Sequence, residues 1–190
     1  MPVIEVDAAK ERRAALKQHP ASCGCTARLS RRGLLGLGLV NAVTVAFPAL
    51  AAGGHYEAML VNCIDPRFTT SSGAYMAGRG LKDLYSHFVI AGGPIGVVSP
   101  RFADWQKTFW DNLDITVQLH DIKRVVGLTH RDCGAAAVAY GDRIKTDRAF
   151  ETEQLIEALR AFKSTIGRHH SELTVDTGIM ALDGTVELIA

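Results

Sequence analysis

The sequence predicts an α/β domain, a mainly parallel sheet of four or five strands flanked by helices. Three observations lead there. Short apolar, β-branched runs alternate with longer stretches of helical period. Glycine, proline or charged residues close the apolar runs. Asp183-Gly184 separates the last two runs and reads as a hairpin turn. Strands joined through helices imply right-handed crossovers and parallel pairing, and the final hairpin adds an antiparallel edge.

The elements follow in order. "YEAMLVNCI" (56–64) is a buried strand, followed by a loop rich in Thr, Ser and Gly. "GAYMAGRGLKDLY" holds a short, glycine-weakened helix, and "HFVIAGG" is a second strand closed by a glycine pair and Pro94. From Pro100, which suits a first helical turn, Phe102, Trp105, Phe109 and Leu113 recur at intervals of three and four, an amphipathic helix. Trp105 and Phe109 are expected on the sheet, and Trp110, off that stripe, suits an oligomer interface. "IKRVVGLTH" (122–130) is the third strand, and "CGAAAVAYG" begins a small-residue helix at its end. A longer helix, "FETEQLIEALRAFKSTIGRHH", aligns Leu155, Leu159, Phe162 and Ile166 before the closing strand pair of "ELTVDTGIMALDGTVELI".

Residues 1–51 read differently. Ser30 precedes the pair Arg31-Arg32, and an apolar run (33–47) leads to Pro48 and the small-x-small site Ala49-x-Ala51. This is a secretory leader of the twin-arginine type with a long n-region, expected to be cleaved. Its apolar run, about fifteen residues, is short of a membrane span, although an uncleaved anchor is the alternative. Residues 52–190 are then one domain, exported by the twin-arginine machinery to the periplasm or another extracytoplasmic space, with no stable membrane span after cleavage. The leader carries seven Lys/Arg and three Asp/Glu, so the remaining 139 residues hold 14 basic and 17 acidic side chains. That balance gives no nucleic-acid footprint, and 139 residues can bury a real core.

Of four cysteines, Cys23 and Cys25 fall in the leader, leaving Cys63 and Cys133. In an oxidising compartment such a pair is ordinarily a disulfide. A second option uses more of the surroundings. Cys63, Asp65 and Arg67 alternate at the end of the first strand, and "THRDCG" ends the third. If those strands are neighbours, Cys63, His130 and Cys133 supply two thiolates and an imidazole, three ligands of a tetrahedral zinc site with the fourth position left for water or a carboxylate. Cys133 at a helix start would also feel the dipole that favours thiolate. Asp132 reads as solvent-facing, with a supporting role beside the ligands as the alternative, and His55, His87, His120, His169 and His170 as polar surface or satisfied core residues. "AGGPIG" lacks the Lys-Ser/Thr ending of a phosphate loop and instead suits close approach of backbone to the pocket.

Cys-x-Asp-x-Arg followed by His-x-x-Cys-Gly resembles the β-class carbonic anhydrases. "HFVIAGG" is similar to their second strand and glycine-rich turn, and "GIMALDGTVELI" to their closing strand pair. The resemblance runs from about residue 56 to the C-terminus and implies that family's α/β fold. It implies one Zn2+ per chain on Cys63, His130 and Cys133, with Asp65 and Arg67 as the catalytic pair. Arg67 would hold Asp65, which either accepts a hydrogen bond from zinc-bound hydroxide or swings onto the zinc as fourth ligand. The implied reaction is reversible hydration of CO2 to bicarbonate by a homodimer or higher homo-oligomer. Related alternatives are hydrolysis of carbonyl sulfide or carbon disulfide on the same ligands, or a non-catalytic zinc-binding protein. The sequence departs from the family pattern at "IAGGPIG", where an Arg-Asn segment is common, at Thr129, where glycine is common, and at Pro66.

Overall fold

The computed structural model describes residues 55–190. The expected leader and its cleavage site lie outside the described residues. Five strands form one sheet in the order β2-β1-β3-β4-β5. Strands β1 (Ala58–Asn62), β2 (Tyr85–Val89), β3 (Arg124–His130) and β4 (Thr174–Met180) run parallel, and β5 (Val186–Ile189) returns antiparallel along β4. The helices are α1 (Thr69–Gly78), α2 (Pro94–Val98), α3 (Ala103–His120), α4 (Gly134–Tyr140) and α5 (Arg148–His169). Among the described residues no helix is long and apolar enough to cross a membrane.

Alternation along the strands divides the core into two faces. Met59, Val61 and Val125 point toward α2, α3 and α5, where Phe109, Leu113, Phe162 and Ile166 are completely buried. The stripe expected on α5 is the one that packs: Leu155, Leu159, Phe162 and Ile166 are all inaccessible to solvent. Phe162 lies against Gly127 of β3, where an added Cβ would sit 2.6 Å from its ring. The bare strand is therefore what admits the ring. Ala58, Leu60, Val126 and Leu128 point the other way, onto Phe68 and Met76 at α1. Burying each large apolar side chain contributes about 1.5–3 kcal/mol before entropy is charged against it.

Two expectations change. Helix α1 begins at Thr69 and takes in the "TTSSG" segment expected as loop. Phe68, Ser72 and Met76 recur every four residues and are all buried, and Ser72 Oγ accepts a hydrogen bond from Asn62 Nδ2 at 3.0 Å. A polar residue inside the buried stripe hid the helical period. The tryptophans exchange roles as well. Trp105 is 38% exposed and stacks on Phe102, whereas Trp110 packs on the core beside Phe109 and His169. The buried face of α3 starts only at Phe109, so its first turn leaves Trp105 outside.

The topology also places the site. From β1 the chain crosses to β2 on one side, then returns to form β3 on the other. Where successive connections diverge, a crevice opens at the carboxyl ends of the strands. Here it lies between β1 and β3, which are hydrogen-bonded neighbours, as the paired motifs require.

Candidate metal centre

Cys63 is the first residue beyond β1, His130 the last of β3, and Cys133 the residue that precedes α4. All three are buried, and their candidate ligand atoms lie within 4.8 Å of one another. Both cysteines are free thiols. The glycine turn after β2 comes close, as expected. Gly92 N–H donates to Cys63 Sγ at 3.2 Å, and a Cβ at Gly92 would sit 3.1 Å from the Ile95 Cβ and 3.2 Å from that of Ala135. Gly93 has φ +57°, and a side chain there would meet the Leu128 carbonyl at 2.8 Å.

His130 is oriented from both sides. Its Nδ1 lies 2.8 Å from the Arg131 carbonyl, which can only accept, so Nδ1 carries the proton and Nε2 presents a lone pair. The Phe68 ring packs against the imidazole at 4.2 Å between centroids. Among the described residues, Nε2 is buried and has no hydrogen-bond partner, a costly state unless something else fills its lone pair. The two thiols shift in opposite directions. A hydrogen bond from Cys133, with help from His130 and the Gly92 and Asp65 backbone, pulls the Cys63 thiol pKa down against burial. The same Cys63–Cys133 bond, reinforced by burial, pushes Cys133 up. Burial disfavours the His130 imidazolium, yet Cys63, the Arg131 carbonyl and Asp65 together raise its pKa. Two sulfurs and one unpartnered nitrogen converge in a small buried volume. That donor set can hold a metal ion.

Beside it, Asp65 Oδ2 stands 4.0 Å from His130 Nε2. Pro66 starts a 3-10 turn (Pro66–Phe68) and restricts Asp65 to an extended conformation, φ −60° and ψ 119°, from which its carboxylate caps the turn. Oδ1 accepts from the Arg67 backbone N–H at 3.0 Å and from Arg67 Nε at 3.0 Å, and Oδ2 accepts from Nη2 at 2.7 Å. The Arg67 guanidinium therefore holds the Asp65 carboxyl down to about 2, and Asp65 in turn raises Arg67. Asp65 is an ionised acceptor at any neutral pH.

Asp132 faces solvent, as expected, and is also tied to the site. Although exposed, it accepts from Arg67 Nη1 through Oδ2 at 2.8 Å and from Nη2 through its backbone carbonyl at 3.0 Å. The Asp65–Arg67 unit is thus tied to the His-x-x-Cys loop. Glu151 and Arg131 were not singled out by sequence reasoning. Both are buried, and Glu151 joins Arg131, Arg148 and the Asp132 backbone N–H. The only local signal was a carboxylate in the first turn of α5. A cleft of about 120 Å3 runs past Cys133 toward Lys145 and Arg148. Three of the other histidines are satisfied polar residues: His87 Nε2 meets Asn62 Oδ1 at 2.7 Å, His120 meets Ser86 at 2.6 Å, and His170 meets Asp114 and Glu172 at 2.9 Å each. Exposed His55 reaches Asp121 at 3.2 Å, and His169 stacks on Trp110.

No protein-family model matches the sequence. Two uncharacterized proteins, from Rickettsia bellii and Rickettsia conorii, are each 30% identical over 131 residues. The match spans 69% of this chain and 80% and 70% of theirs. Among solved structures, the chain is similar to the β-carbonic anhydrase CafA of Aspergillus fumigatus, with TM-score 0.49 and 17% identity over 76% of this chain and 80% of that one. It is also similar to a carbonic anhydrase from Glaciozyma antarctica (TM-score 0.46, 17% identity, 98% and 96% covered) and to tetrameric β-carbonic anhydrases of Sordaria macrospora (0.46, 18%, 76% and 86%). Its two motifs meet in one Cys–His–Cys group on a mainly parallel sheet, and the chain belongs to the same family as the two rickettsial proteins.

Proposed function

We propose that this protein is a zinc-dependent carbonic anhydrase, a lyase interconverting CO2 and bicarbonate. The observation that carries the reading is the meeting of Cys63, His130 and Cys133 beside a carboxylate, Asp65, that is already fixed by Arg67. Cys63, His130 and Cys133 would hold the ion. Zinc bound there would supply the Lewis acidity that makes water a nucleophile near neutral pH. Every other role belongs to the chain. The Arg131 carbonyl and Phe68 orient His130, and the Gly92 N–H steadies the Cys63 sulfur. Asp65 keeps its charge because Arg67 donates to both oxygens, so it can accept a hydrogen bond from a donor placed between Oδ2 and His130. Arg67 sets which face Asp65 turns to the site. The same reading expects a homo-oligomer, exported through the twin-arginine leader in residues 1–51.

The test is metal analysis and stopped-flow CO2 hydration with the full chain. About one zinc per chain, the stoichiometry of a single tetrahedral site, together with hydration faster than buffer supports the proposal. Zinc with sulfide release from carbonyl sulfide, but no CO2 hydration, would replace it with the isostere hydrolase. Zinc with neither activity would leave a non-catalytic metal protein. Fractionation of cells expressing the full chain tests export, since a twin-Lys variant of Arg31 and Arg32 should stay in the cytoplasm.

A further inference from the structure

Glu151 is a buried carboxylate that the chemistry above does not use. It is 4% exposed, with its head between two arginines. If its task were only to neutralise Arg131 and Arg148, both bonds could come from one oxygen, and they do: Oε2 takes Arg131 Nη1 at 3.2 Å and Arg148 Nη1 at 2.7 Å. The other oxygen, Oε1, accepts the backbone N–H of Asp132 at 2.7 Å. Asp132 has φ +57°, a left-handed conformation uncommon outside glycine, which Asp adopts more readily than most residues. The residue held in this way presents both its carboxylate and its carbonyl to Arg67. The bonds therefore run unbroken from the start of α5, through the loop between the metal-site residues of β3 and α4, to the guanidinium that holds Asp65.

We propose that Glu151 and Asp132 are positioning residues: Glu151 fixes the left-handed turn at Asp132, and Asp132 latches Arg67 so that Asp65 stays on the guanidinium and faces the Cys–His–Cys group. This inference rests on the proposed role of Asp65 and Arg67. Its structural core, however, concerns only how Arg67 is held. A purely stabilising Glu151 would alter the unfolding midpoint and leave Arg67 as it is.

The test reads the Arg67 Nε–H directly, by NMR of the 15N-arginine-labelled full chain, as its exchange rate with water. The variants are Glu151→Gln, Asp132→Asn, the two together, and Arg148→Ala. A glutamine can satisfy either the Asp132 N–H or the arginines, but not both. Glu151→Gln and Asp132→Asn should each speed Arg67 Nε–H exchange about tenfold, the scale for losing one charge-assisted hydrogen bond. The double variant should exchange no faster than the faster single, because the two residues act in series. Arg148→Ala leaves Oε1 on Asp132 and should stay within about twofold of wild type, the scatter of an uncoupled site. Rates in Asp132→Asn indistinguishable from wild type overturn the latch by themselves. That variant tolerates substitution, since the Asp132 side chain is 62% exposed. Effects of Glu151→Gln and Asp132→Asn that multiply overturn the series arrangement. Hydration by the zinc-loaded variants is the second readout, with kcat falling and KM retained. If wild type hydrates no CO2, the proposed function fails and the exchange rates still decide the latch.

Discussion

The layer between the sheet and helices α3 and α5 and the tip where β1 and β3 end are adjacent in space, yet different physics holds them. In the layer, Phe109, Leu113, Phe162 and Ile166 pack in one apolar cluster, and what matters is volume. At the tip, Cys63, Asp65, His130 and Glu151 are placed by hydrogen bonds to backbone partners in three different loops, and what matters is direction. The layer stabilises the domain without knowing its chemistry. The tip has chemistry but depends on the layer to bring β1 and β3 side by side.

Four substitutions can break or sharpen that contrast. The largest effect is expected at Cys63→Ser, which removes a ligand at the centre of the tip: metal content should fall from stoichiometric to background and hydration with it, by elemental analysis and stopped flow. Zinc retained at the wild-type level would mean the tip is not built around this sulfur. Next is Phe162→Ala in the layer, where a ring against Gly127 is lost. Urea unfolding should show a loss of about 3–5 kcal/mol, while the folded protein keeps its metal. Joint loss of metal and stability would show that the two regions are one unit.

Asp65→Ala should keep the metal and lower kcat by about 10–100-fold, the usual cost of losing such a supporting partner, with a small fall in the unfolding midpoint from the lost cap. Full activity in this variant would remove the carboxylate from the reaction. The smallest effect is expected far from the tip, at His170, which ties Asp114 of α3 to Glu172 before β4. Burial works against its charge, but the Glu172 and Asp114 carboxylates outweigh it and raise its pKa. A raised folded-state pKa stabilises fully below the unfolded value of about 6.5 and loses that contribution as pH rises through the folded value. His170→Gln should therefore lower the thermal midpoint at pH 5.5 and match wild type at pH 9, with no change in metal content at either pH. A midpoint difference that grows with pH would reverse the assignment.

Much of the layer was legible because helical and strand periods are local. Leu155, Leu159, Phe162 and Ile166 could be placed on one face from spacing alone, and Asp183-Gly184 marked its turn. The errors have equally local causes. Ser72 sits in the buried stripe of α1 only because Asn62, on another element, gives it a partner. Trp105 keeps the period of the α3 stripe but lies before that helix reaches the core.

The donor set was readable from the chain alone: two cysteines and a histidine in motifs that end strands, with Asp65 and Arg67 alternating beside the first cysteine. Those features depend on residue identity and on contacts two or three positions apart. Only the tertiary structure decided that β1 and β3 are neighbours, that Asp132 turns left-handed to meet Arg67 across 65 positions of chain, and that Glu151 comes up beneath it from α5. Such contacts are fixed by how whole elements pack, and a carboxylate in the first turn of a helix looks the same in sequence whether it faces water or supports a site.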